Sequence, residues 1–231
     1  MGKNNERSCN RWKTRAIITL KDIERRIASL VFGKSGRILE YSFVWRHINA
    51  CAETILEVGC SGSSLAFQLA KKGYELHAVD MRTYPFRYQR LNFYQADARS
   101  LPFPDDSFDT VVSISTVEHI GKGQYGDPIN EHGDLLAMKE MARVCKRGGR
   151  LLISTSWANE YRNIPGRERY YDDAHLNKLA NGLRLEIKEY YAPLRRVWKY
   201  TFKWSKVSKE MAERAFSLGS RPIVCLLLRK I

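Results

Sequence analysis

Ile55-Leu56-Glu57-Val58-Gly59-Cys60-Ser61-Gly62-Ser63-Ser64 is the stretch whose reading decides the fold. Ile55 to Val58 is a short apolar run broken by one acid, the composition of a strand buried in a parallel sheet. Gly59 and Gly62 follow among small residues, then Leu65 to Ala70 has helical composition and Gly73 supplies a stop. Strand, glycine turn and helix start together open a nucleotide-binding βαβ unit. Glycines let the backbone approach a ligand, and the first turn of a helix offers unpaired N–H groups. A glycine turn alone is a weak signal, so the chain downstream has to carry the assignment.

Downstream, Glu75 to Asp80 is a second strand that ends in an acid. The interval from Glu57 to Asp80 is close to the roughly 20 residues expected between a glycine turn and a ribose-binding carboxylate. Asn92 to Ala96 is a third strand, followed by a second acid, Asp97. A proline-punctuated turn, Leu101 to Asp109, leads into the β-branched run Thr110 to Ser115, a fourth strand. Leu135, Met138 and Met141 fall at helical spacing, Gly148-Gly149 closes that helix, and Leu151 to Ser154 is a fifth strand. Alternation of strands with helices predicts a parallel sheet covered on both faces. Leu183 to Tyr190 reads as a sixth strand and Ile223 to Leu228 as a seventh. Between them lies a basic aromatic insert, about 193–220, with Trp198, Tyr200, Phe202 and Trp204.

In this order and spacing, Leu56-Glu57-Val58-Gly59-Cys60 with Gly62, Asp80, Asp97-Ala98, Leu101 to Asp109 and Arg143 to Gly149 resemble a class I S-adenosylmethionine (SAM)-dependent methyltransferase of the broad small-molecule branch. The resemblance covers about residues 52–156. It implies an α/β, Rossmann-like fold: seven strands, mostly parallel with the last antiparallel, and helices on both faces. It implies SAM as cofactor, with Glu57, Gly59, Cys60 and Ser61 at the amino-acid end and Asp80 on the ribose hydroxyls. Met81 would pack on adenine, Asp97 accept from its amino group, Ala98 offer a backbone N–H, and Ser115 and Thr116 face the methionine portion. The glycine turn departs from the family pattern, because Ser61 and Ser63 stand where later glycines are usual. Since a Cβ makes positive φ costly, Gly62 is expected to take the special conformation.

Val117-Glu118-His119-Ile120 directly follows the fourth strand, within reach of a transferring methyl group. His119 is the leading candidate for a base or orienting group, and Glu118 the second. Against this stand a helix-capping Glu118 and a His119 bonded only to backbone. Gly121 to Gly133, with Tyr125 and Asp127, reads as a substrate lid. The Tyr161–His175 stretch, with Arg162, Arg167 and Arg169, reads either as an anionic or sugar-like pocket or as a solvated loop. No helical His pair and no Cys-x-x-Cys occurs, so no metal site is expected.

At 231 residues and 44% hydrophobic, the chain can bury one core. A single domain over 1–231 is expected, with a helical cap at about 12–50 formed by the stripes Ala16 to Val31 and Ile38 to Ile48. The net charge of +14 is concentrated at the ends. Residues 1–37 carry +7 and 195–214 carry +5, whereas 38–194 carry −1. Such a distribution suits a polyanionic partner or a solubilising face. Five scattered cysteines, no signal peptide and no long apolar run predict a cytoplasmic protein without a transmembrane segment. Peripheral membrane contact through a basic amphipathic helix stays open, as does the oligomeric state. The expected enzyme is a SAM-dependent methyltransferase acting on a hydroxyl or amine of a small-molecule, saccharide-related acceptor. The alternatives are an RNA methyltransferase using the basic ends, which is not favoured, and a non-catalytic SAM-fold binding protein.

Overall fold

The computed structural model describes residues 36–48, 53–198 and 201–231. The stripe Ala16 to Val31 and residue Tyr200 therefore lie outside the described residues. The second N-terminal helix is present as α1 (Gly36–His47). After it come β1 (Thr54–Val58), α2 (Leu65–Lys71), β2 (Glu75–Asp80), β3 (Leu91–Gln95) and β4 (Phe108–Ile114). A single 3-10 turn, Val117–His119, leads to α3 (Gly133–Val144) and β5 (Cys145–Ser156). A short ribbon, β6 (Arg162–Asn163) with β7 (Arg169–Tyr170), precedes α4 (Asp173–Leu179). The chain then forms β8 (Leu183–Trp198), β9 (Thr201–Val207), α5 (Lys209–Ser217) and β10 (Ile223–Lys230).

Eight strands form one sheet in the order β3-β2-β1-β4-β5-β10-β8-β9. β1 to β5 pair in parallel, and β10 inserts antiparallel between β5 and β8. Strand order reverses between β1 and β4, which leaves a crevice beyond their carboxyl ends.

The sheet has one strand more than the seven expected, and the addition comes from the basic insert. β8 continues past Tyr190 for 16 residues in all, and Thr201–Val207 folds back on it as antiparallel β9. Phe202 and Trp204 alternate with Lys203 and Ser205, a strand pattern that the high charge of the segment obscures. Register shifts beside Pro193, which has no N–H to give the ladder. Lys203 and Lys206 stand on this outer strand, where charge discourages edge pairing.

Alternate residues of the central strands feed two cores. Leu56, Val58, Val111, Leu151 and Ile153 pack with Ala137, Met141 and Leu176 of α3 and α4. Ile55, Leu76, Val112 and Leu152 pack on the other face with Phe43 and Val44 of α1 and Leu65 and Leu69 of α2. Strands buried on both sides explain the near-continuous apolar runs. Among the described residues no helix is long and apolar enough to cross a membrane.

Helix α1 is tied to the far side of the sheet by ions. Arg46 donates to both carboxylate oxygens of Glu189, at 2.7 and 3.3 Å, and Lys206 Nζ lies 2.7 Å from the same group. Burial pushes the Glu189 carboxyl up, but bonds from Arg46, Lys206 and Tyr191 outweigh it and hold it down at about 2. A carboxylate lowered in the fold stabilises it above the unfolded value, near 4.3, and that contribution is lost as pH falls toward 2. Thermal unfolding of the wild type between pH 5 and 2 is expected to fall more steeply than that of Glu189→Gln, measured by circular dichroism. Parallel curves would remove this link from the acid response.

Candidate active site

One pocket opens in the crevice beyond β1, β2 and β4. Gly59, Gly62, Asp80, Met81, Asp97, Ala98, Ser115, Thr116 and His119 all line it. These residues come from four separate segments, brought together because each ends or follows a strand pointing the same way. Val58, Val79 and Ile114 supply apolar wall, and Asp80 and Asp97 supply acceptors.

The tight backbone position is Gly59, not Gly62. Gly59 has φ of +85°, and Gly62 is absent from the residues with positive φ. A Cβ on Gly59 would lie 2.2 Å from the Thr116 side chain, whereas one on Gly62 would meet open space. The expectation for Gly62 fails because Ser61 and Gly62 sit in a turn closed by the Ser63 N–H on Cys60 O (2.8 Å), which requires no left-handed residue. At Gly59 the chain leaves β1 and its N–H still donates to Val79 O of β2 (2.8 Å), so the sharp change falls there.

Asp80 Oδ2 accepts the Ser61 N–H (2.8 Å), and Oδ1 accepts the Arg82 N–H (2.9 Å) and Nε (3.2 Å). Asp97 has the same arrangement: Oδ1 accepts the N–H (2.9 Å) and Nε (3.0 Å) of Arg99. The Arg99 guanidinium holds the Asp97 carboxyl below its usual range. Ser61 thus serves the site by fixing Asp80. Ser115 is one of three non-glycine residues with positive φ among the described residues, at +45°. Its N–H donates to Ser154 O (3.0 Å), and its hydroxyl donates to Glu40 of α1.

Four of the residues named from the sequence do not line the pocket: Ser61, whose hydroxyl donates to Thr83 O (3.0 Å), and Glu57, Cys60 and Glu118. Glu57 accepts the Ala66 N–H of α2 (2.6 Å), and burial pushes its carboxyl up to about 7. Cys60 is buried, and burial pushes its thiol up, against a nucleophilic role. Glu118 is 1% exposed and accepts the Thr155 hydroxyl (3.0 Å), with burial pushing it up to about 7.

His119 remains at the pocket wall. Its Nδ1 lies 2.9 Å from the Arg167 carbonyl oxygen and 3.0 Å from Gln124 Oε1. A carbonyl can only accept, so Nδ1 carries the hydrogen and Nε2 of the neutral ring keeps its lone pair. The ring stands edge-on to Tyr125 at 5.6 Å, and the Arg82 guanidinium lies over Tyr125 at 4.2 Å. Asp127 braces this loop by accepting the Gly121 N–H (2.6 Å). Arg37 and Arg82 also line the pocket. No sequence motif marks either one, since both sit among many other basic residues.

Residues 56–153 match the methyltransferase domain family. This stretch is a class I SAM-dependent methyltransferase domain. The chain is 26% identical over 169 residues to a phosphatidylethanolamine N-methyltransferase of Cereibacter sphaeroides, covering 62% of this chain and 75% of that one. It is 23% identical over 128 residues to a ubiquinone biosynthesis O-methyltransferase of Stutzerimonas stutzeri, covering 51% and 50%. The chain thus spans three quarters of the first relative and half of the second. Its fold is similar to that of Burkholderia thailandensis 1,6-didemethyltoxoflavin-N1-methyltransferase, solved with S-adenosylhomocysteine, at TM-score 0.60 and 14% identity, covering 90% and 87%. SAM is the cofactor of this methyltransferase domain. The pocket chemistry fits it, with carboxylate acceptors for hydroxyls and an amine, an apolar slot between them, and a glycine where backbone comes closest.

Replacing Gly59 by Ala combines left-handed strain, about 1–2 kcal/mol, with the clash against Thr116. The expected result is a clear drop in melting temperature and in S-adenosylhomocysteine affinity by calorimetry, while Gly62→Ala changes either little. The reverse ranking would contradict the assignment of the tight position.

Proposed function

We propose that the chain methylates a hydroxyl or amine of a small, anionic or saccharide-like acceptor, with His119 as the base. The observation that carries this reading is the hydrogen-bonding of His119, whose Nδ1 is held by the Arg167 carbonyl while the ring lines the cofactor pocket. SAM supplies a methyl group activated on a sulfonium. Asp80 and Asp97 orient the adenosine half, Gly59 and Thr116 set how closely it approaches, and His119 Nε2 takes the acceptor's proton. Tyr125 and Arg82 lie across the pocket wall and limit water. Because positioning supplies much of the rate, Arg167 contributes by holding the imidazole from its backbone.

The anionic preference is supported by the ribbon that carries the Arg167 carbonyl. Arg167, whose carbonyl meets His119, is exposed there. The relatives include one named for an N- and one for an O-methylation, so both acceptor atoms remain in the reading. The compartment proposed is the cytoplasm.

His119→Ala is expected to lower methyl transfer about 100-fold or more, with S-adenosylhomocysteine binding within about twofold of wild type. Asp80→Ala is expected to do the opposite, weakening cofactor binding first, by about 1–3 kcal/mol for an unpaired hydroxyl. Transfer of a labelled methyl group in cell extract, read beside calorimetry, separates the two. A His119→Ala variant with unchanged turnover would exclude the base role.

A further inference from the structure

We propose that the cleft between the β6–β7 ribbon and the segment Phe216–Arg221 binds a phosphate group of the acceptor, with Arg162 and Arg221 as its cationic contacts. This rests on the methyl-transfer reading and names the chemistry at the acceptor's far end.

The cleft has a volume of about 380 Å³. Arg162, Arg221, Ser217 and Ser220 line it, and no carboxylate does. By contrast, the cofactor pocket holds Asp80, Asp97 and Asp127, and a cleft between α3 and α4 holds Glu131 and Asp134. A wholly positive lining is therefore not what this basic chain produces at every hollow. Tyr170 and Phe216, with ring centroids 6.1 Å apart, add an apolar surface for a ring that carries the anion.

Both arginines have donors to spare. The Arg162 guanidinium lies over the Phe216 ring at 4.8 Å and makes no ion pair among the described residues. Arg221 Nη1 lies 3.2 Å from Glu168 Oε1, one contact for a group with five N–H donors. Glu168 does not line the cleft. Its Oε1 also accepts the Tyr170 hydroxyl (2.8 Å) and its Oε2 the Ser156 hydroxyl (3.4 Å), so it aims Arg221 while its own charge is shared. Helix α5 ends here, and bare carbonyls at a helix end would repel an anion. They are closed instead, since the Gly219 N–H donates to Phe216 O (2.9 Å) and the Ser220 N–H to Ala215 O (3.0 Å). Two guanidiniums facing one hollow suit a dianionic phosphate better than a singly charged carboxylate.

The cleft stands on the same edge of the sheet as the cofactor crevice. Ile223 pairs with Ser156 at the carboxyl end of β5, and the Trp157 N–H donates to Pro222 O (2.9 Å). Arg221 therefore lies just beyond that end. β10 is two strands from β4 in the sheet, which at about 4.8 Å per strand places the cleft roughly 10 Å from the turn that bears His119. The ribbon spans this interval. Its Arg167 carbonyl meets His119 Nδ1 (2.9 Å), while Arg162, paired with Tyr170, faces the cleft. An acceptor with its nucleophile at His119 and its phosphate about 10 Å away matches both ends.

The test uses the whole chain and phenyl phosphate, whose ring and dianion match the cleft, with phenol and benzoate as controls. By calorimetry the wild type is expected to bind phenyl phosphate in preference to both. Arg162→Gln combined with Arg221→Gln should weaken that binding about tenfold, the scale of two exposed ion pairs, and leave S-adenosylhomocysteine within about twofold. Phenyl phosphate should also inhibit transfer of a labelled methyl group in cell extract. Because Arg221 touches Glu168, the second variant is Arg162→Gln alone, which breaks no ion pair among the described residues. It should cost about threefold. Phenyl phosphate affinity unchanged in both variants, no phenyl phosphate binding, benzoate bound equally well, or binding without inhibition would each overturn the assignment and leave the methyl-transfer reading intact. A wild-type chain that binds phenyl phosphate yet transfers no methyl group would overturn that reading, and the acceptor role of the cleft with it.

Discussion

The contact on which the site depends is that between Gly59 and Thr116. Two parallel strands, β1 and β4, end side by side, and the loops that leave them must separate to make a crevice. The Thr116 side chain occupies the volume that any side chain at Gly59 would need. Its Oγ1 is fixed to Ile114 O at 3.0 Å, so it has little freedom to yield. Because the contact sits at the switch in strand order, it couples the path of the first loop to the position of Ser115 and the 3-10 turn that bears His119. Strain at Ser115, about 1–2 kcal/mol for a non-glycine residue at positive φ, is held in place by its bonds to Ser154 and Glu40.

Glu40 shows how the N-terminal helix belongs to this arrangement. A carboxylate 3% exposed is costly unless bonded, and here the hydroxyls of Ser115 and Ser154 meet it. The same helix reaches the outer strands through Arg46 and Glu189. The basic insert, which the sequence marks only as a segment between the last two expected strands, is thereby part of what seats the helix against the pocket.

Much of this was legible in the sequence because the physics is local. The strands of the parallel half announce themselves as β-branched runs, and Asp80 and Asp97 follow them at strand ends, where side chains reach the crevice. Gly59 was also visible, but which glycine carries the left-handed turn depends on what packs over it, and Thr116 is 57 positions away. Glu57 illustrates a signal that was present in the pattern: it alternates with Leu56 and Val58, so it shares Ile55's face and points toward α2. Glu118 was decided by a 3-10 turn whose rotation composition does not reveal. β9 was hidden because lysines broke its apolar alternation. Arg37 needed the tertiary structure entirely.

The two pocket acids repeat one small device, Asp80-Met81-Arg82 and Asp97-Ala98-Arg99. Each aspartate accepts the backbone N–H and the Nε of the arginine two residues on. Each acid therefore comes with its own counter-charge, and a ligand hydroxyl or amine enters by exchanging hydrogen-bond partners rather than by meeting a bare negative field. Discrimination at that end of the pocket then depends on the direction of lone pairs. Mobile ions weaken fields over a Debye length but do little to a bond of fixed direction at contact distance. The adenosine end is built to read shape, and the net charge of the chain is left to act elsewhere.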